Sequence, residues 1–482
     1  MEVKQHEERR AAGADDSSRM SVSASTTSSD VYTSTHPDAA STPPRRRFLT
    51  HVAWTVIARF LIMAGGLVAS IIVARVLGAE GLGALAVINV TVAVALQFGC
   101  AGLPSANTYF ISKDRRELAP VWANALLFGL AAGTLLAVLV AVLAYLRPTL
   151  FGSVSFQLIL TAIISIPFQL VTFLGLNVFL GIERIAQFNL LDAFSQSFVL
   201  VNAVVALVVL DSGLTVLVAL NTAASILICG AVIWMIGRIV AQQKEGRTFR
   251  PDMELLRRMA HYGVKFHVAV VASLLIFRAD LLIVNHFRGE AEAGSYSVAS
   301  QMAMLLMMLP GVIATLIFPR VTAARDREGH LIMRATRHTS FIMLVVCLMA
   351  VPAAFLLPLL YGPAFRDVPV QLLILLPGIY LVGVESVLVQ YFSSTGLPVA
   401  IPLFWVVTLL LNVLLNLLFV PTFGARAAAF ASTASYALIF LLVVFYFRRK
   451  TGNSFSQTFM LRRGELRELF ARVRKSSAVR ES

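Results

Sequence analysis

Four ionisable residues stand where an apolar chain tolerates charge least. Arg59, Arg278, Asp280 and Glu385 each lie well inside a long hydrophobic stretch. A charge at the centre of a bilayer costs about 2.5–3.5 kcal/mol on insertion scales, so such a group faces a wet cavity, a partner or a ligand. The planar arginine fork pairs bidentately with carboxylate or phosphate oxygens. Arg59 and Arg278 therefore read as a cationic lining for an anion, or else as interhelical ion pairs or caps on backbone carbonyls. Asp280 follows Arg278 by two residues, which on a helix turns it about 200° away. The two do not form a local pair; one can face a cavity while the other meets a neighbouring helix. Glu385 reads either as a structural partner to an arginine or as a titrating carboxylate coupled to an ion gradient. Lys265 and His267 lie near the start of their stretch, where snorkelling suffices.

Other chemistry finds no footing. There is no Gly-rich phosphate loop of the Walker type and no His-Glu-x-x-His. Cys100, Cys229 and Cys347 are too scattered for a disulfide framework or a metal site. No catalytic residue, metal ligand or cofactor is expected, and the chain is not read as an enzyme. Asp252 and Glu254 belong to an amphipathic turn rather than to a catalytic pair. The amides within the stretches, among them Asn89, Asn107, Gln169, Asn202, Asn221, Asn412 and Asn416, read mainly as residues that hold helices together.

The elements that must position these groups are membrane helices. The chain is 58% hydrophobic and only 14% charged, and a bilayer core of about 30 Å needs roughly 20 apolar residues per helix. Twelve stretches qualify: 53–76, 84–111, 120–146, 155–181, 187–210, 214–239, 263–286, 295–319, 336–361, 369–394, 398–420 and 424–447. Basic residues cluster on alternate loops. Arg45 to Arg47 precede the first span, Lys113, Arg115 and Arg116 follow the second, and Arg448, Arg449 and Lys450 follow the last. The positive-inside rule then places both termini in the cytoplasm. The formal net charge of +14 is mostly this signal. Spread over short loops, it makes no groove for nucleic acid. The fold expected is an all-α polytopic membrane protein of about twelve transmembrane helices. Residues 1–44, rich in Ser, Thr, Asp and Pro, read as a disordered cytoplasmic tail. Residues 45–239 form one six-helix bundle, 240–262 an amphipathic cytoplasmic linker, 263–447 a second bundle and 448–482 a basic tail. Within that tail, Phe459 to Lys475 reads as an amphipathic helix on the inner membrane surface.

The two bundles read as copies of one unit. The turn after the first span runs from Gly78 to Gly83, and the turn after the seventh from Gly289 to Gly294. Both keep Gly, four residues, Gly, and then open a long helix. Each half has an even number of spans, so the copies are parallel repeats, an arrangement that lets two bundles rock about a central cavity.

Several segments resemble one family in particular. Ala74-Arg75-Val76-Leu77-Gly78-Ala79-Glu80-Gly81-Leu82-Gly83 is similar to the first-turn signature of polysaccharide-biosynthesis flippases. These belong to the multidrug/oligosaccharidyl-lipid/polysaccharide exporter superfamily. Arg278-Ala279-Asp280 followed by Gly294-Ser295-Tyr296-Ser297-Val298-Ala299 resembles its seventh-span pattern. Phe318-Pro319, Leu360-Tyr361-Gly362, and the run from Asn412 through Gly424 to Ser435-Tyr436 resemble later signatures in the same order. The resemblance implies a two-bundle transporter of the Wzx type in the inner membrane. Such a protein moves a polyprenyl-diphosphate-linked oligosaccharide to the outer leaflet, with membrane lipids around it and a polysaccharide polymerase and chain-length proteins as partners. Arg59, Arg278 and Asp280 would then meet substrate and Glu385 would couple an ion. A cation-coupled drug exporter of the same superfamily is the second reading, and a membrane glycosyltransferase, polymerase or ligase the third. Lipid II flippases of the superfamily typically carry two further spans, which this chain lacks. The family pattern does not account for residues 1–44.

Overall fold

The structure is a computed structural model that describes residues 44–243, 248–324, 329–396 and 398–459. The expected disordered tail and the expected surface helix beyond Phe459 thus lie outside the described residues. By contacts the chain divides into two units, Met1–Val52 and Ala53–Ser482. All packing below lies within the second.

Sixteen α-helices follow one another, and no strand occurs among the described residues. In the first half these are α1 (Pro44–Gly99), α2 (Leu103–Lys113), α3 (Leu118–Leu146), α4 (Phe156–Ile163), α5 (Ser165–Gly181), α6 (Ile185–Val204) and α7 (Leu214–Ala241). The second half holds α8 (Met253–Arg288), α9 (Glu290–Leu306), α10 (Met308–Ala324), α11 (His330–Ala354), α12 (Leu357–Tyr361), α13 (Val368–Leu388), α14 (Gln390–Ser394), α15 (Ala400–Thr451) and α16 (Phe455–Phe459). Among the described residues, ten helical stretches are long and apolar enough to cross a membrane. Two of them are double: α1 is broken at Gly78 and α15 at Gly424, each the one residue with non-helical backbone angles. The twelve expected spans are therefore accommodated, with the first and last pairs joined by single-residue breaks rather than by loops.

Two of the glycine turns that suggested a repeat have the same backbone. Gly78 has φ 71° and ψ −170°, and Gly289 has φ 83° and ψ 177°. This combination is open only to glycine, and the two halves use it at the same step of the fold. The match is looser later in the repeat. Gly424 also has a positive φ, of 63°, whereas the corresponding Gly213 is extended at φ −86° and follows a π-helical turn, Val205–Val209. The linker differs from expectation as well. Its amphipathic segment is no separate turn but the start of α8, a single helix of 36 residues. Asp252 caps it by accepting from the Leu255 amide at 3.0 Å. Asn124 of α3 then clasps the backbone of Asp252 from both sides, donating to its carbonyl at 2.8 Å and accepting from its amide at 2.9 Å.

The halves meet backbone to backbone. A Cβ placed on Gly83 would stand 2.7 Å from the Glu290 carbonyl carbon, and one on Gly294 would stand 3.0 Å from the Gly83 nitrogen. Gly102 and Gly263 make a similar close approach near the opposite end. Taking the basic loops as cytoplasmic, the Gly83–Gly294 contact lies at the outer end. Further bonds stitch the halves there. Ser70 and Tyr361 hydroxyls are 2.7 Å apart, and Arg75 donates to the carbonyls of Leu359 and Leu360. Ser153 donates to Glu290 at 2.6 Å, and His286 Nδ1 lies 2.8 Å from the Thr149 carbonyl.

Candidate functional site

Helix α8 carries the densest chemistry. Phe277 stacks obliquely on Tyr436, with ring centroids 5.2 Å apart, and so fixes the rotation of α8 against α15. That rotation drives Asp280 into the bundle, where it is 1% exposed. One carboxylate oxygen accepts from the Tyr296 hydroxyl and from Ser432 Oγ at 2.9 Å; the other accepts from the Leu281 amide at 2.8 Å. Three helices, α8, α9 and α15, are thereby tied at one carboxylate, which is closed off from solvent. Ser295, next to Tyr296, continues the link to Gln371 of α13 at 3.4 Å.

Arg278 is placed differently. It is half-buried, and among the described residues its guanidinium makes no hydrogen bond or ion pair. Its charge is felt at Asp280 and Tyr436 but is not paired with either. Ten residues separate it from the outer end of α8 at Arg288, which is about 15 Å at helical rise and so half the depth of a bilayer core. Arg59 lies within α1, and its side chain is outside the described residues. The structure thus places Arg278 and Asp280 on one helix, and Glu385 elsewhere.

Glu385 sits on α13, 1% exposed, with Oε1 lacking any hydrogen-bond partner. No arginine pairs with it among the described residues. Helices α11 and α13 run antiparallel, with the Ser340 and Tyr380 hydroxyls 2.6 Å apart. Continuing that register by about one turn brings Thr336 level with Glu385. Thr336 is fully buried, and its hydroxyl also lacks a partner. Two unsatisfied polar groups at one level are unusual in a packed bundle.

Some groups escaped sequence reasoning. Tyr296 and Ser432 lie 16 and 152 residues from the acid they hold, and nothing in the chain marks them as a pair. The amides divide by role. Asn107 donates to the Leu174 carbonyl at 3.1 Å and Asn202 to Asn221 at 2.8 Å, both across helices as expected. Asn412 and Asn416 bond to each other along α15 and leave Asn412 Nδ2 and Asn416 Oδ1 unsatisfied. Asn89 and Gln169 instead border a pocket in the first half, and Asn221 does both. Their residue type alone does not separate the two roles.

A family model described as polysaccharide biosynthesis protein matches residues 48–325. The chain belongs to that family. Over 175 residues it is 27% identical to AglR of Haloferax volcanii, named a probable flippase, covering 34% of this chain and 36% of that protein. Over 302 residues it is 24% identical to ExoT of Rhizobium meliloti, named a succinoglycan biosynthesis transport protein, covering 61% and 58%. The chain thus spans about a third to three fifths of the length of these relatives. Among solved structures, the lipid II flippase MurJ in an inward closed conformation superposes with a TM-score of 0.65 at 16% identity, over 83% of this chain and 90% of that one. An inward-facing multidrug resistance transporter of the MATE family gives 0.64 at 16% identity, over 83% and 99%. At such identity these two share the fold, an all-α polytopic membrane protein, and the fold alone does not choose between them.

Proposed function

We propose that this member of the polysaccharide biosynthesis family moves a polyprenyl-diphosphate-linked oligosaccharide from the inner to the outer leaflet of the cell's inner membrane. The observation that carries the reading is Arg278, an unpaired guanidinium at mid-depth of a membrane helix. A fork in that position suits a diphosphate and opposes the organic cations that a drug exporter takes up. The relatives named a probable flippase and a succinoglycan biosynthesis transport protein support the same choice. Asp280 acts on the substrate through the helix it anchors, since its oxygens are already bonded. Arg59 supplies a second cation to the lining. Glu385, buried without a partner, titrates in step with transport and couples it to an ion gradient. The stitches between the halves at the outer end support a state closed to the outside, with alternating access made by rocking the two bundles. The polysaccharide polymerase and chain-length proteins take the product on the outer side.

The test is a strain lacking the gene and any redundant flippase, complemented by variants. Arg278→Ala is expected to insert and accumulate like wild type while surface polysaccharide is lost. Arg278→Lys restores export in part, because an ammonium holds charge without the fork. An Arg278→Ala protein that is present and fully active removes the diphosphate contact. Full surface polysaccharide in the deletion strain removes the transport reading itself.

A further inference from the structure

The first half of the chain forms a half-open pocket of about 140 Å³ between α1, α4, α5 and α7, and no residue of α8 lines it. It therefore lies apart from Arg278. Its walls carry Asn89, Ser165, Gln169, Asn221 and Thr222 among aliphatic side chains, and no ionisable residue. Three amides keep bonding capacity in hand. Asn89 is exposed to the space and makes no hydrogen bond. Gln169 donates to Ser165 Oγ at 2.8 Å and leaves Oε1 open. Asn221 accepts from Asn202 at 2.8 Å and leaves its Nδ2 open. Gln169 and Asn221 are each held by the bond they already make, so the open atoms are preorganised.

We infer that this pocket is a binding site for one neutral pyranose ring. Size sets the first limit, since a cavity of about 150 Å³ in another protein admits benzene, a single six-membered ring. Lining chemistry sets the second. Without a carboxylate the walls do not suit a cation, and without an arginine or lysine they do not suit a phosphate. Donors and acceptors interleaved on separate walls fit hydroxyls, each of which both gives and takes a hydrogen bond. The aliphatic residues, Ile88 and Val92 among them, face the C–H side of a ring. The inference rests on the transport reading only for its biological use, in which the site holds one sugar of the head group while Arg278 holds the diphosphate.

The experiment uses the full chain in lipid nanodiscs and saturation-transfer NMR with methyl glucopyranoside, galactopyranoside and mannopyranoside. Methyl glucuronide and tetraethylammonium serve as charged counterparts. At least one neutral pyranoside is expected to receive saturation, and Asn89→Leu or Gln169→Leu to weaken it about tenfold, as for the loss of one well-made hydrogen bond. Asn89→Ala, at an exposed position, is the milder variant should a leucine impair folding. No transfer to any neutral pyranoside, equal transfer in all the variants, or displacement by tetraethylammonium would overturn the site. Flipping of a lipid-linked oligosaccharide by wild-type protein is measured alongside. Pyranoside binding without flipping upholds the site and sinks the transport reading. Flipping without pyranoside binding does the reverse.

Discussion

Replacing Gly83 by alanine tests whether the two halves close on each other at their outer ends. The new Cβ would stand 2.7 Å from the Glu290 carbonyl carbon, whereas carbons settle at about 3.5–4.0 Å. The helices must therefore part by about 1 Å, because the obstructing group is backbone and cannot rotate away. Alanine is favoured over glycine in a helix by about 1 kcal/mol, and this gain is the same whether the halves touch or not. Overpacking costs about 1–3 kcal/mol, and it is felt only when they touch. That cost of about 1–3 kcal/mol on the closed state lowers its ratio to the open state by a factor of about 5–150. Cysteines at Ser153 and Glu290, whose side-chain oxygens are 2.6 Å apart, report closure through a short bifunctional thiol reagent. The native cysteines are all buried and add little background. Cross-linking should fall several-fold in Gly83→Ala at equal protein abundance. It should hold steady in Gly230→Ala, where an added Cβ has no atom within 4 Å. Unchanged cross-linking in Gly83→Ala would refute the close approach of the halves.

Three further outcomes follow from the bonding. Asp280→Ala leaves the Tyr296 and Ser432 hydroxyls only each other, 3.4 Å apart, and should destabilise the protein by about 2 kcal/mol, with Tyr296→Phe weaker; thermal unfolding in detergent decides, and a wild-type midpoint for Asp280→Ala contradicts the anchoring role. Asn124→Ala removes both of its bonds to the Asp252 backbone, while the carbonyl keeps the Leu256 amide at 2.9 Å, at a cost of about 1–2 kcal/mol. Proteolysis between α7 and α8 in native membranes should quicken, and an unaltered rate argues against the clasp. Glu385→Gln keeps the shape of a buried side chain but removes the titrating group. On the proposed coupling, transport persists at a reduced rate and ceases to respond when the proton gradient is collapsed. A response equal to that of wild type rules Glu385 out.

Much of the fold was readable because its signals are local. Hydropathy marks each span without reference to any other, and basic loops mark the faces. The Gly78 and Gly289 turns were visible because a backbone open only to glycine leaves its mark on the chain. What stayed hidden depends on distant partners. Asp280 looked equally suited to a substrate and to a neighbouring helix, and only the positions of Tyr296 and Ser432 decide that it is bonded internally. Asn89, Gln169 and Asn221 come from three separate spans, so no spacing could foretell that they border one space. The continuity of α8 through the expected linker was hidden for another reason. An amphipathic turn and the first turns of a membrane helix share the same pattern until a cap such as Asp252 is seen to start them.

The two halves differ in what they bury. Among the described residues, the buried charged side chains are Asp280, Arg337 and Glu385, all in the second half. In the first half the buried polar side chains are neutral: Asn107, Asn124, Ser165, Thr172, Asn202 and Thr222. The division has a physical basis. A buried ion must be bonded or solvated to be tolerated, and it acts on other charges over long distances in a medium of low dielectric. A neutral amide acts only at hydrogen-bond range. Among the described residues the buried ions thus fall in one bundle, while the pocket of the other has only neutral groups with which to recognise a polyhydroxyl ligand. A lipid-linked oligosaccharide has the matching partition, an anionic diphosphate at one end and hydroxyl-bearing rings at the other. On the proposed reading each bundle grips the part of the substrate that its own chemistry suits. The rocking of the two bundles would then carry both parts together.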